Sequence, residues 1–236
     1  MSRPLQKILS AKSILCISAV LLGSVFMAAA QAPEPGDSKP ANAIDDHVYN
    51  KKPLMDFRQK LADWRKDPQN DIYSPFQYTL EAMLGANGKL IVEKAPVFTG
   101  PAEIQRIVSA AAAALSDSGL FGLLQDLKGK KVKLTLAQDG SQFFLRLEVA
   151  QDTEKEAKSA FNGINMAIEL GKILAAREIE KETDPANKQK KQSTLELLKT
   201  TQLKREGSNI IIDTAMPNKM AEDMFQTYKK DLEDKK

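Results

Sequence analysis

The sequence predicts an α+β fold: an antiparallel sheet built from three hairpin-helix (ββα) units, with helices packed mainly on one face. Three observations predict it. Apolar and polar residues alternate in paired runs, the two-residue period of half-buried strands. Asn87-Gly88, Asp139-Gly140 and Gly207-Ser208 separate the members of each pair, and these residues suit tight turns. After each pair the apolar spacing lengthens to three and four, which is one face of a helix.

The chain begins with Arg3, Lys7 and Lys12, followed by an apolar run over residues 13–27. Ala28-Ala29-Ala30 before Gln31 fits a small-residue cleavage site. Residues 1–30 therefore read as a signal peptide or, uncleaved, as a membrane anchor. The apolar stretch only just reaches the about 20 residues that a membrane helix needs. Either reading places the remainder in the periplasm or cell envelope, or outside the cell if the leader is removed. The 236-residue chain has a net charge of +3. The leader holds three basic residues and no Asp or Glu, so the rest is neutral. That excludes a nucleic-acid footprint built on net charge. Cys16, the sole cysteine, lies in the leader, so the mature chain can form no disulfide.

Residues 31–71 read as a Pro-containing linker with a short amphipathic helix. Pro33, Pro35, Gly36 and Pro40 favour an extended chain. His47, the sole histidine, sits here and makes a poor metal site by itself. Leu54, Phe57, Leu61 and Trp64 form a helical stripe that Asp67-Pro68 ends. The stripe covers an edge of the domain, or docks a partner or the membrane. Lys51, Lys52, Arg58, Lys60, Arg65 and Lys66 would serve the membrane reading.

Residues 72–236 read as one α+β domain. Its first unit pairs an alternating strand, Phe76, Tyr78, Leu80, Ala82 and Leu84, with a return strand over residues 89–97. Pro101 starts the helix, where its missing N–H leaves no bond unmade. Ile104, Ile107, Val108, Ala111, Ala112 and Leu115 make its stripe, and residues 116–119 end it. Leu120, Phe121, Leu123 and Leu124 then form a short apolar plug. The second unit sets Val132, Leu134 and Leu136 against Phe143, Leu145, Leu147 and Val149. Asp152-Thr153 caps a helix whose apolar set widens through Met166, Leu170, Ile173 and Leu174, which predicts burial on two sides. Residues 177–192 are charged and read as a helix end and loop. The third unit has a first strand from Thr200 to Arg205. Its second carries Ile210, Ile211 and Ile212, a strand apolar on both faces. Pro217 opens the last helix.

Catalytic chemistry is hard to find. A Ser-His-Asp hydrolase needs a base beside its nucleophile, and the one histidine is in the linker. Asp117 and Asp139 sit where turns commonly use Asp. Glu178, Glu180 and Glu182 have no metal-ligand spacing. The expectation is a non-enzyme with no catalytic residue, no metal and no cofactor.

Over residues 80–127 the chain resembles the periplasmic C-terminal domain of TonB-type energy transducer proteins, in the divergent form of environmental bacteria. The likeness rests on Asn87-Gly88-Lys89-Leu90, on the Pro101 helix start and on the Ala-rich helix running into Leu115-Ser116-Asp117-Ser118-Gly119. The gross order agrees too: basic tip, apolar segment, Pro-containing linker, small α+β domain. The resemblance implies an exported envelope protein that binds a protein or peptide partner by strand addition. That partner would be an outer-membrane transporter. The membrane would be engaged through an uncleaved leader. The implied partner-binding residues are Asn209, Ile210, Ile211, Ile212, Asp213 and Thr214, with residues 89–97 as a second edge. The family's membrane helix couples to its motor through a histidine, and residues 13–30 have none. The alternative is therefore a soluble periplasmic or secreted ligand-binding protein without motor coupling.

Overall fold

A computed structural model describes residue 50 and residues 52–85, 87–119, 121 and 129–233. The leader, most of the linker with His47, and the plug residues Leu120, Leu123 and Leu124 lie outside the described residues. The elements are α1 (Lys52–Trp64), β1 (Phe76–Leu84), β2 (Leu90–Val92), β3 (Val97–Thr99), α2 (Ala102–Asp117), β4 (Lys131–Gln138) and β5 (Gln142–Ala150). They continue with α3 (Glu154–Lys181), α4 (Pro185–Thr200), β6 (Gln202–Glu206), β7 (Asn209–Pro217) and α5 (Asn218–Glu233). The architecture is α+β, with helices and one antiparallel sheet. Its strand order is β2-β1-β4-β5-β7-β6, and β3 pairs with β1 alongside β2.

Alternation decides which side of the sheet is buried. Leu80, Leu134, Leu147, Ile212 and Leu203 stand opposite one another across five strands. The first four of them are buried. The next row reads Glu81, Lys133, Glu148, Ile211 and Lys204, and its charges point the other way. On that open side Arg146 makes a two-pronged contact to Asp213 across the β5–β7 pair, at 2.6 and 3.0 Å. The buried rows join Leu54, Phe57 and Leu61 of α1, Ile104, Ile107 and Leu115 of α2, Ile164 and Ile168 of α3, and Met224 and Phe225 of α5 in one core. Phe121, the one plug residue described, is fully buried in it.

The strict hairpin-helix repeat is not what the chain forms. The first return strand splits into β2 and β3, because Pro96 has no N–H to give the ladder. Two helices follow the second hairpin. Residues 177–192, expected as a helix end and loop, hold the end of α3 and the start of α4. Asp184 stops one helix and caps the next, its carboxylate accepting from the Asn187 N–H at 2.8 Å. Pro185 fits the first position of the new helix. Leu197 and Leu198 belong to α4 and are buried, so the last hairpin begins at Gln202 instead of Thr200. The burial of the α3 helix on two sides is not found either: Met166 is 53% and Ile173 50% exposed.

α1, which the sequence assigned to the linker, packs into the core with Leu54, Phe57 and Leu61 all buried. Its basic set does not form a free membrane face. Arg58 is 1% exposed, and Arg65 turns inward to Glu222 at 2.8 Å and lies over the Phe225 ring.

Gly100 closes the first hairpin at φ +140°, where a Cβ would meet Phe76 Cβ at 2.7 Å. Gly100→Ala is expected to lower stability by about 2 kcal/mol, through backbone strain and overpacking. Gly163, inside α3, has open space where a Cβ would go. Gly163→Ala is expected to raise stability by about 0.5–1 kcal/mol. Urea unfolding midpoints of the two variants should move in opposite directions.

Candidate partner-binding edge

The residues expected to receive a partner strand lie in β7, between β5 and β6. Asn209, Ile210, Ile211, Ile212 and Asp213 are paired on both edges, and Thr214 faces Leu145 of β5 just beyond the end of β6. Ile210, Ile211, Ile212 and Thr214 are buried, and the Asp213 carboxylate is held by Arg146. Burial pushes that carboxyl up, but the Arg146 and Lys204 cations outweigh it and hold it below the usual range. An interior strand has no unpaired ladder to offer, so strand addition to residues 209–213 is ruled out in this arrangement.

Two edges remain. β6 presents Lys204, Arg205 and Glu206, all exposed, and charge of this kind discourages pairing. The other edge is β2 with β3, and its chemistry differs. Ile91 is 61%, Val92 53% and Val97 67% exposed. Ile91 stands opposite Met83 and Val97 opposite Thr79, so both lie on the open side of the sheet. Val92 has the other parity.

Backbone bonding fixes which groups of β2 face outward. Gly85 N–H donates to the Lys89 carbonyl at 2.9 Å, and Glu93 N–H to the Glu81 carbonyl at 3.2 Å. Residues 91 and 93 therefore turn their amides toward β1, as Lys89 does its carbonyl, and residues 90 and 92 turn their amides away. The outward Leu90 N–H does not stay open: it donates to Ser116 Oγ at the end of α2, at 2.9 Å. Lys89 pairs with Asp117 on the same turn at 3.5 Å. Gly119 follows in a left-handed conformation, where a Cβ would press on the Asn87 carbonyl at 3.0 Å. The end of α2 is thus laid against the β1–β2 turn, and Val92 is left as the outward group of β2. Farther along, Lys94 pairs with Glu81 at 2.9 Å, and this bond holds the Glu81 carboxyl below its usual range.

The acidic residues considered for catalysis sit on separate elements with local partners. Asp117 pairs with Lys89, and Asp139 accepts from Ser141 and Gln142 in the β4–β5 turn. Glu182 pairs with Lys191 at 2.7 Å, and Glu178 and Glu180 are exposed on α3. Among the described residues no group of three or more His, Cys, Asp or Glu could hold a metal ion. No described helix is long and apolar enough to cross a membrane.

No family model, curated protein or solved structure matches this chain. The reading of the edge therefore rests on its own geometry.

The domain is tied together away from this edge by Tyr73, Arg65 and Glu222. Tyr73 donates its hydroxyl to Glu222, and Gln226 donates to the same carboxylate. Burial, then the Glu222 bond, pushes the Tyr73 hydroxyl far above its usual 10, so it remains a donor. Burial also pushes Glu222 up, but the bonds from Tyr73, Gln226 and Arg65 prevail and hold it below its usual 4.5. A depressed carboxylate contributes stability that is complete above the unfolded-state pKa and lost as pH falls through the folded-state one. Glu222→Gln should destabilise the domain by about 1 kcal/mol at pH 7, allowing for partial exposure of the pair. The gap to the unaltered protein should close as pH drops below 4.5, read from urea midpoints across pH.

Proposed function

We propose that this chain is an exported, non-enzymatic envelope protein that binds a protein partner by taking an extended segment of it as an added strand beside β2 and β3. One observation supports the site above the rest. Of the five large apolar side chains most exposed among the described residues, Ile91, Val92 and Val97 lie on this single edge. Protection of sheet edges calls for charge, as on β6, and gives no reason to place β-branched apolar residues here. An added strand would cover them and would satisfy the outward Val92 amide with main-chain bonds.

The likeness to TonB-type transducers supplies the setting for this reading. The leader carries the chain across the inner membrane, and an outer-membrane transporter offers the segment. If the leader stays as an anchor, the protein passes work between membranes. If it is cleaved, the protein is a soluble periplasmic or secreted binding protein that has kept the edge without the motor. The mass of the N-terminal peptide from purified protein separates the two. Gln31 as the first residue identifies the soluble form, and an intact leader identifies the tethered one.

Val92→Pro tests the edge. It removes the outward N–H and leaves the β1–β2 bonds through residues 89, 91 and 93 in place. Stability should fall by no more than about 1 kcal/mol. Photocrosslinking to a partner from position 91 in intact cells should fall about ten-fold. Unchanged crosslinking in Val92→Pro would sink the proposal.

A further inference from the structure

We propose that the β2–β3 edge selects an extended peptide with two apolar side chains four residues apart, in a register set by Ser116. This deepens the strand-addition reading and rests on it.

The spacing follows from the broken return strand. Met83 and Thr79, opposite Ile91 and Val97, are four residues apart on regular β1. Along the edge itself the same interval takes six residues, because Lys94, Ala95 and Pro96 loop out between the Glu93–Glu81 bond and β3. A regular added strand covers the interval, about 13 Å, in four residues. Residues i and i+4 of that strand then meet Ile91 and Val97 on the open side of the sheet. Residue i+2 falls beside the Glu81–Lys94 pair, which favours a polar side chain there.

Register follows from Ser116. Its hydroxyl already occupies the Leu90 N–H at 2.9 Å, and the Lys89–Asp117 pair holds that end of α2 in place. Pairing must start at Val92. Without that stop a strand could slip, and a slip of one residue would turn both apolar side chains to the opposite face.

The occupant is a segment of another protein and not a second copy of this chain. A second copy would bring the same six-residue interval and the same Pro96, so the two edges cannot run in step. Its straight portion is the three residues of β2, far short of the about 1,200 Å² that a stable pair of proteins buries.

Two fluorescein-labelled peptides test the inference on the full-length protein: Thr-Val-Thr-Thr-Thr-Val-Thr, and Thr-Val-Thr-Thr-Val-Thr-Thr with its valines on opposite faces. Fluorescence anisotropy reads affinity, and hydrogen exchange reads the Val92 and Leu90 amides. The first peptide should bind about ten-fold tighter and slow exchange at Val92. Ser116→Ala should speed exchange at Leu90 and shrink the preference below about three-fold, while Ser116→Thr retains both. Equal binding of the two peptides with Val92 protected would overturn the selectivity and leave strand addition standing. A preference that survives Ser116→Ala would overturn the role of Ser116. Failure of both peptides to protect Val92 would overturn the inference together with the reading beneath it.

Discussion

The structure depends on one constraint: neighbouring strands must turn a matching row of apolar residues toward the same side. The row from Leu80 through Leu134 and Leu147 to Ile212 satisfies it, and five helices close over that side without breaking the ladder. Alternation leaves the opposite side to Glu81, Lys133, Glu148, Arg146 and Asp213, which pair among themselves and with Lys94 and Lys204. A one-residue slip anywhere would bury these charges and expose the leucines. The register is therefore overdetermined.

Much of this was legible in the sequence, because a period of two is a local property. β1 begins at Phe76 and β4 at Lys131, as the alternation requires, and the turn at Asp139-Gly140 joins the second hairpin. The α+β class follows. Order within the sheet was not legible, since pairing is set by contacts distant in sequence. Helix α4 was missed for a related reason. Its first turns are charged and its buried residues, Leu197 and Leu198, cluster at one end, so no stripe announces it. The signal present was Asp184-Pro185, a cap followed by a proline, which starts helices as readily as it ends them.

The site was half legible. The triplet Ile210-Ile211-Ile212 was read as a strand apolar on both faces, which it is, and then as a receptive edge, which it cannot be. A strand buried on both faces is held by neighbours on both sides, and the same burial that marks it removes its free ladder. Residues 89–97 carried the better clue in Pro96, because a proline in a strand run belongs at an edge or bulge. Ser116 could not have been found from sequence. It lies 26 residues from Leu90, near the far end of α2, and only the folded backbone shows that the Leu90 amide points outward.

The connection from β5 to β6 steps over an empty place. β5 ends at Ala150, two helices follow, β6 is laid down parallel to β5, and only then does β7 return to fill the gap between them. The place between β5 and β6 is thus filled by a strand that follows both of them in the chain. Until residues 209–217 are in place, β5 and β6 each hold an unpaired ladder, so both gaps close with the insertion of one strand.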